Sequence, residues 1–103
     1  MPLCLENNQL EIVERILKVH FEDLTVYAYG PRVTGVGLAP DSELDIAVVS
    51  GKPIALEEMV AVERAFAESG LPFRTDVVDW AKLPESMQKS IKKEHVVIQG
   101  DDA

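Results

Sequence analysis

The sequence predicts an α/β fold: a small mixed β-sheet flanked by helices. Three observations predict it. Short runs of β-branched and aromatic residues stop at glycine, as Thr25-Val-Tyr-Ala-Tyr29 does at Gly30. Longer stretches carry apolar residues at helical spacing, as Leu56, Met59, Val60, Phe66 and Ala67 do. A strand, a long helix and another strand follow one another between Leu44 and Val78. Such a crossover returns the chain in the same direction, so those two strands are parallel.

Each element follows from its residues. Asn8 with Glu11 three positions on marks a helix start, and Leu10, Val13, Ile16, Leu17 and His20 then keep one face. A helix is expected near Gln9 to Phe21. Thr25–Tyr29 is the first strand. The glycine-rich stretch Gly30-Pro-Arg-Val-Thr-Gly-Val-Gly-Leu-Ala-Pro40 has room for one helical turn, since proline suits a first helical position. Leu44-Asp-Ile-Ala-Val-Val49 is the second strand, stopped by Ser50-Gly51 and Pro53. Leu56 to Ala67 is a second long helix, closed by Gly70. Pro72-Phe-Arg-Thr-Asp-Val-Val78 is the third strand. Pro84 to about Glu94 is the last helix, with Leu83, Met87 and Ile91 inward. Val96-Val97-Ile98 is a short apolar end-piece, and residues 100–103 are expected to fray.

The chain has 103 residues, 47% of them hydrophobic and 27% charged, which suits one packed domain over residues 1–103. No apolar run has the length of a membrane span. The N-terminal stretch lacks the basic start and apolar run of a secretory signal. Cys4 is the only cysteine, so no internal disulfide forms and a cysteine-based zinc site is excluded. A cytoplasmic location and no membrane partner are expected. Eighteen acids oppose ten bases, for a net charge of −8. Binding a phosphate backbone directly needs clustered lysine and arginine. Here the one small cluster, Lys89, Lys92 and Lys93, sits beside Glu94, so direct nucleic-acid binding is not expected. An acidic chain can still hold an anion through a divalent cation, or a basic partner protein.

Glu43 and Asp45 stand two residues apart at the mouth of a strand. Side chains alternate along a strand, so both share one face while Leu44 and Ile46 turn to the core. Asp76 lies in the third strand and can stand beside Asp45 if those strands are parallel neighbours. Three carboxylates on one face repel one another unless a cation sits among them. Oxygen-only donors suit Mg²⁺ or Mn²⁺, and two such ions about 3.5–4 Å apart serve phosphoryl chemistry. The plain alternative is a solvated rim. Asp41, Glu43 and Asp45 also alternate like a calcium loop, but Ile46 stands where that loop requires glycine. Gly30 closes the first strand and Arg32 follows at a turn, a place where backbone N–H groups can meet phosphate. That cradle faces the acids only if the first two strands are antiparallel neighbours. Asp79 has the opposite parity to Asp76 and reads as a turn or cap residue. Tyr27, Phe66 and Trp80 read as packing residues. His20 and His95 lack companions at ligand spacing, and the lysine cluster reads as a solvated helix face.

Three ordered blocks, Tyr29-Gly-Pro-Arg-Val-Thr-Gly35, Pro40-Asp-Ser-Glu-Leu-Asp-Ile-Ala-Val48 and Pro72-Phe-Arg-Thr-Asp-Val-Val-Asp-Trp80, resemble the minimal nucleotidyltransferase domain of the DNA-polymerase-β-like superfamily. The resemblance covers nearly the whole chain. It implies that Gly30 matches the family glycine, Glu43 and Asp45 the acid pair, and Asp76 the later single aspartate. Glu43, Asp45 and Asp76 would then bind Mg²⁺ (or Mn²⁺), Asp45 and Asp76 would act in catalysis, and Gly30 with Arg32 would seat the triphosphate. The implied activity is transfer of AMP from ATP to a hydroxyl on a partner protein, a HEPN-domain toxin, with this chain as antitoxin and room for a homo-oligomer. Pro31 replaces the family serine, Glu43 replaces the first aspartate, and the loop before the acid pair is one residue longer. These departures define the alternative: a catalytically degenerate antitoxin that neutralises its partner by contact.

Overall fold

The computed structural model describes residues 3–102. The elements run α1 (Asn7–His20), β1 (Thr25–Tyr29), α2 (Pro31–Thr34), β2 (Leu44–Val49), α3 (Leu56–Ala67), β3 (Thr75–Asp79), a 3₁₀ turn (Trp80–Lys82), α4 (Glu85–Lys93) and β4 (Val96–Gln99). The four strands form one sheet in the order β3-β2-β1-β4. β1 is antiparallel to β2 and β4, and β2 is parallel to β3. The expected antiparallel and parallel pairs are both present, so the sheet is mixed as the sequence implies.

Strand alternation divides the sheet into two faces. Val26, Ala28, Leu44, Ile46, Val48 and Val77 turn toward α1 and α3, where Val13, Leu17, Val62 and Phe66 complete the core. Burying such apolar side chains is the main favourable contribution to folding. The residues between them, including Tyr27, Tyr29, Asp45 and Asp76, turn to the opposite face. There Tyr27 is covered by Trp80, in a T-shaped contact at 5.4 Å, and by His95 at 4.6 Å. Further along the same face Tyr29 and Asp45 are half-buried.

Some boundaries move. α1 starts two residues early, at Asn7, because Gln9 Oε1 accepts the Glu6 N–H at 3.0 Å and takes the role expected of the Asn8–Glu11 pair. β3 starts at Thr75, so residues 72–74 lie outside it. The apolar end-piece becomes a true edge strand, β4, pinned by Gln99 Nε2 donating to the carbonyls of Phe21 (2.6 Å) and Leu24 (2.9 Å). Residues 100–102, expected to fray, carry contacts instead, while Ala103 lies outside the described residues. Thr25 Oγ1 donates to the Asp101 carbonyl at 3.2 Å. Asp102 meets His95 Nε2 at 2.9 Å and Lys92 Nζ at 3.2 Å. Lys92 therefore has defined partners rather than a purely solvated place. Asp79 is a cap: its carboxylate accepts the N–H groups of Ala81 (3.2 Å) and Ile54 (2.8 Å). Among the described residues no helix is long and apolar enough to cross a membrane.

Candidate active site

The site is built where β1 ends and β2 and β3 begin. Antiparallel register sets Tyr29 opposite Asp45, and parallel register sets Asp45 opposite Asp76. Glu43 shares their face because it lies two residues before Asp45. Glu43, Asp45 and Asp76 each offer a carboxylate oxygen, and these oxygens lie within 4.8 Å of one another. The structure thus brings together the three acids that the sequence singled out.

Gly30 forms one wall. Its φ of +79° falls where glycine is at ease and other residues are strained. A Cβ built there would stand 2.5 Å from Asp45 Oδ2, so the Asp45 carboxylate occupies the space a side chain would need. Pro31 then opens α2, and the Gly30 carbonyl accepts the N–H groups of Val33 (2.9 Å) and Thr34 (3.0 Å). Proline fits this first helical position because no N–H is needed there.

Arg32 does not face the acids, which corrects its expected place on the triphosphate. It is 6% exposed. Its Nε donates to the Ser42 carbonyl (3.0 Å), Nη1 to that of Cys4 (3.0 Å) and Nη2 to that of Pro40 (2.9 Å). The guanidinium also stacks over Phe73, 4.0 Å from the ring centre. All three nitrogens are thereby committed to backbone carbonyls. The residue ties the N-terminal segment, the loop before β2 and the segment before β3 into one base beneath the acids. The exposed cation near the carboxylates is instead Arg74, whose Nη1 lies 3.9 Å from Glu43 Oε2. Its position two residues before Asp76 was the available signal, since alternate residues share a face.

The electrostatics record the crowding. The Asp45 carboxyl is pushed up to about 6, first by burial and then by Asp76 and Glu43. Tyr29 is pushed up to about 12 by burial and by the charges of Asp45 and Asp76, so its hydroxyl stays protonated. Three oxygen donors this close fit a small divalent cation, which would relieve their repulsion. In metal-free protein Asp45 takes up a proton more readily folded than unfolded, where its ordinary value is 3.8. A raised carboxyl stabilises the fold at low pH, and that contribution is lost as pH rises through the folded value. Stability in chelator should therefore fall between about pH 4 and pH 6 relative to Asp45→Asn. Urea unfolding of both proteins across this range checks it; parallel profiles contradict it.

Comparison with known proteins bears on the family and the fold. The family described as "Polymerase beta, Nucleotidyltransferase" matches residues 11–103. The probable protein adenylyltransferase MntA of Haemophilus influenzae is 39% identical over 97 residues, covering 94% of this chain and 84% of that protein. Among solved structures, a toxin–antitoxin with AMP-PNP aligns with a TM-score of 0.74 at 18% identity, over 90% of this chain and 74% of that one. A tri-AMPylated Shewanella oneidensis HEPN toxin in complex with MNT antitoxin aligns with a TM-score of 0.71 at 15% identity, over 94% of this chain and 74% of that one. At these identities the structural likenesses speak for the fold alone. With the family match and the MntA relative, they establish that this chain belongs to the polymerase beta nucleotidyltransferase family, as a homologue of the minimal nucleotidyltransferase MntA.

Proposed function

We propose that this chain is a metal-dependent nucleotidyltransferase that moves AMP from ATP onto a hydroxyl of a partner protein, and that the partner is a HEPN-type toxin for which it serves as a cytoplasmic antitoxin. The observation that carries this reading is the meeting of Glu43, Asp45 and Asp76 beside Gly30. The MntA relative is named as a protein adenylyltransferase, and the aligned complexes hold AMP-PNP or an AMPylated HEPN toxin. Those names support the donor and the partner class.

Glu43, Asp45 and Asp76 would hold Mg²⁺ or Mn²⁺, which when bound neutralises phosphate charge and polarises the reacting phosphorus. The chain's own residues do the rest. Gly30, without a side chain, leaves room for the Asp45 carboxylate to stand beside the turn where the triphosphate would sit. Arg32 acts indirectly, by holding the loop that delivers Glu43. Asp76, exposed at the start of the edge strand β3, accepts the proton of the acceptor hydroxyl as general base. The acceptor oxygen then forms a bond to the α-phosphorus, the bond from that phosphorus to the bridging oxygen breaks, and pyrophosphate leaves. Arg74 is exposed and close enough to Glu43 to meet negative charge on the nucleotide.

One observation favours the contact-only alternative: Pro31, at the first position of α2, offers neither a hydroxyl nor an N–H to a phosphate. The intact mass of the toxin after incubation with this chain, Mg²⁺ and ATP separates the two readings. A gain of one or more adenylyl units is expected. An unmodified toxin held in a stable complex would support the contact-only antitoxin.

A further inference from the structure

After β4 the chain turns back toward α4. Gly100 makes the turn: its φ is +80°, and a Cβ there would stand 2.8 Å from the Cα of Thr25. Thr25 Oγ1 holds the Asp101 carbonyl, and Asp102 then reaches two residues at the end of α4. One of its carboxylate oxygens takes Lys92 Nζ at 3.2 Å, and the other meets His95 Nε2 at 2.9 Å. Lys92 Nζ also donates to the Tyr27 hydroxyl at 3.3 Å, and the His95 ring packs on Tyr27. The His95 side chain is only 10% exposed, so few waters reach it. Both of its ring nitrogens face acceptors. Nδ1 lies 3.1 Å from the Lys92 carbonyl, which can only accept, so Nδ1 carries a hydrogen. Nε2 faces the Asp102 carboxylate. Desolvation would raise that carboxyl, but hydrogen bonds from Lys92 and His95 hold it below its ordinary value, so near neutrality it too can only accept. Nε2 therefore carries a hydrogen as well, and the ring fits its two partners only as the imidazolium.

We propose that His95 and Asp102 form a proton-operated latch, which holds residues 100–102 against β1 and α4 on the acid side of neutrality and releases them as His95 loses its second proton. The latch uses none of Glu43, Asp45 and Asp76, so it stands apart from the AMP-transfer reading. Histidine is the side chain whose charge changes near neutral pH. Around this ring, the Asp102 carboxylate from the tail and the Tyr27 ring face from β1 favour the cation. Lys92 on α4 opposes it, but its charge is shared with Asp102 and the Tyr27 hydroxyl. Glu94, the preceding residue, is exposed. Once the ring is neutral, Nε2 presents a lone pair to the carboxylate, and a charge-assisted hydrogen bond becomes a repulsion. The tail then keeps only the partly exposed pair with Lys92 and the Thr25 hydrogen bond, and exposed ion pairs add little.

Nitrogen-15 NMR of the full chain between about pH 5.5 and pH 8 tests the latch, reading the His95 ring nitrogens and the backbone order of the tail in the same samples. At the acid end both ring nitrogens should be protonated, and the amides of Asp101 and Asp102 should have order parameters near about 0.8. At the basic end these should fall below about 0.6, in step with the loss of the His95 proton. Asp102→Asn, an exposed change, should leave the tail below about 0.6 throughout and lower the pH at which His95 loses that proton. His20→Gln and Asp45→Asn remove the other histidine and the raised carboxyl, and the tail should respond as in wild type. A His95 ring with one bare nitrogen at the acid end, tail order that does not change with pH, or an Asp102→Asn tail that responds like wild type would overturn the proposal.

Discussion

Asp45→Asn is expected to abolish AMP transfer to the partner, by about a thousandfold or more. Asp45 is the central acid of the three. It sits on β2, between Gly30 at the end of β1 and Asp76 on β3, and it faces both. Asparagine keeps the shape but loses the charge that a cation and the developing transition state require. The same change should not unfold the protein. The carboxylate is held at a cost, with a pKa raised to about 6 by burial and two acidic neighbours. Removing that charge relieves both effects, so the metal-free melting temperature at pH 7 should equal or exceed that of wild type. Transfer of label from α-phosphate-labelled ATP, with thermal melting alongside, checks the pair of outcomes. Retained transfer would remove the carboxylates from the chemistry.

Arg32→Met should give the largest loss of stability, on the order of 3–5 kcal/mol out of the 5–15 kcal/mol typical of a domain. The methionine keeps much of the apolar stem and the contact with Phe73. It leaves the carbonyls of Cys4, Pro40 and Ser42 without their donor in a part-buried place. Arg32→Lys should recover only part of the loss, because a single ammonium cannot reach three carbonyls in a fork. Both variants should lower transfer as well, since the loop through Pro40 and Ser42 delivers Glu43 and the acids need ångström-scale placement. Urea unfolding and labelled transfer measure the two effects. A variant within about 1 kcal/mol of wild type would show that these hydrogen bonds do not brace the site.

The part of the site that could be read from sequence is the part governed by local rules. Strand alternation places Glu43 and Asp45 on one face, and the crossover through α3 makes β2 and β3 parallel, so Asp76 comes to Asp45. β1, β2 and α3 lie where the sequence suggests because each is bounded by strong punctuation, such as Gly30, Ser50-Gly51 and Gly70. Asp79 caps a turn, as its parity implies. Long-range backbone contacts leave no comparable mark. Arg32 has the look of a phosphate ligand in sequence, yet one of its carbonyl partners lies 28 residues away, and any residue type carries a carbonyl. The segment 72–74 reads as strand, but Pro72 has no N–H for a ladder and Phe73 turns in beneath Arg32. β4 is four residues long and half-buried along its length, too short for alternation to announce it.

The central claim is that Glu43, Asp45 and Asp76 form one divalent-cation centre. Manganese titration followed by electron paramagnetic resonance addresses it without partner or turnover. Wild type should deplete the free Mn²⁺ signal at neutral pH, and Asp45→Asn and Asp76→Asn should each remove most of that binding. Equal uptake by wild type and both variants, or none by wild type with ATP present, would contradict it.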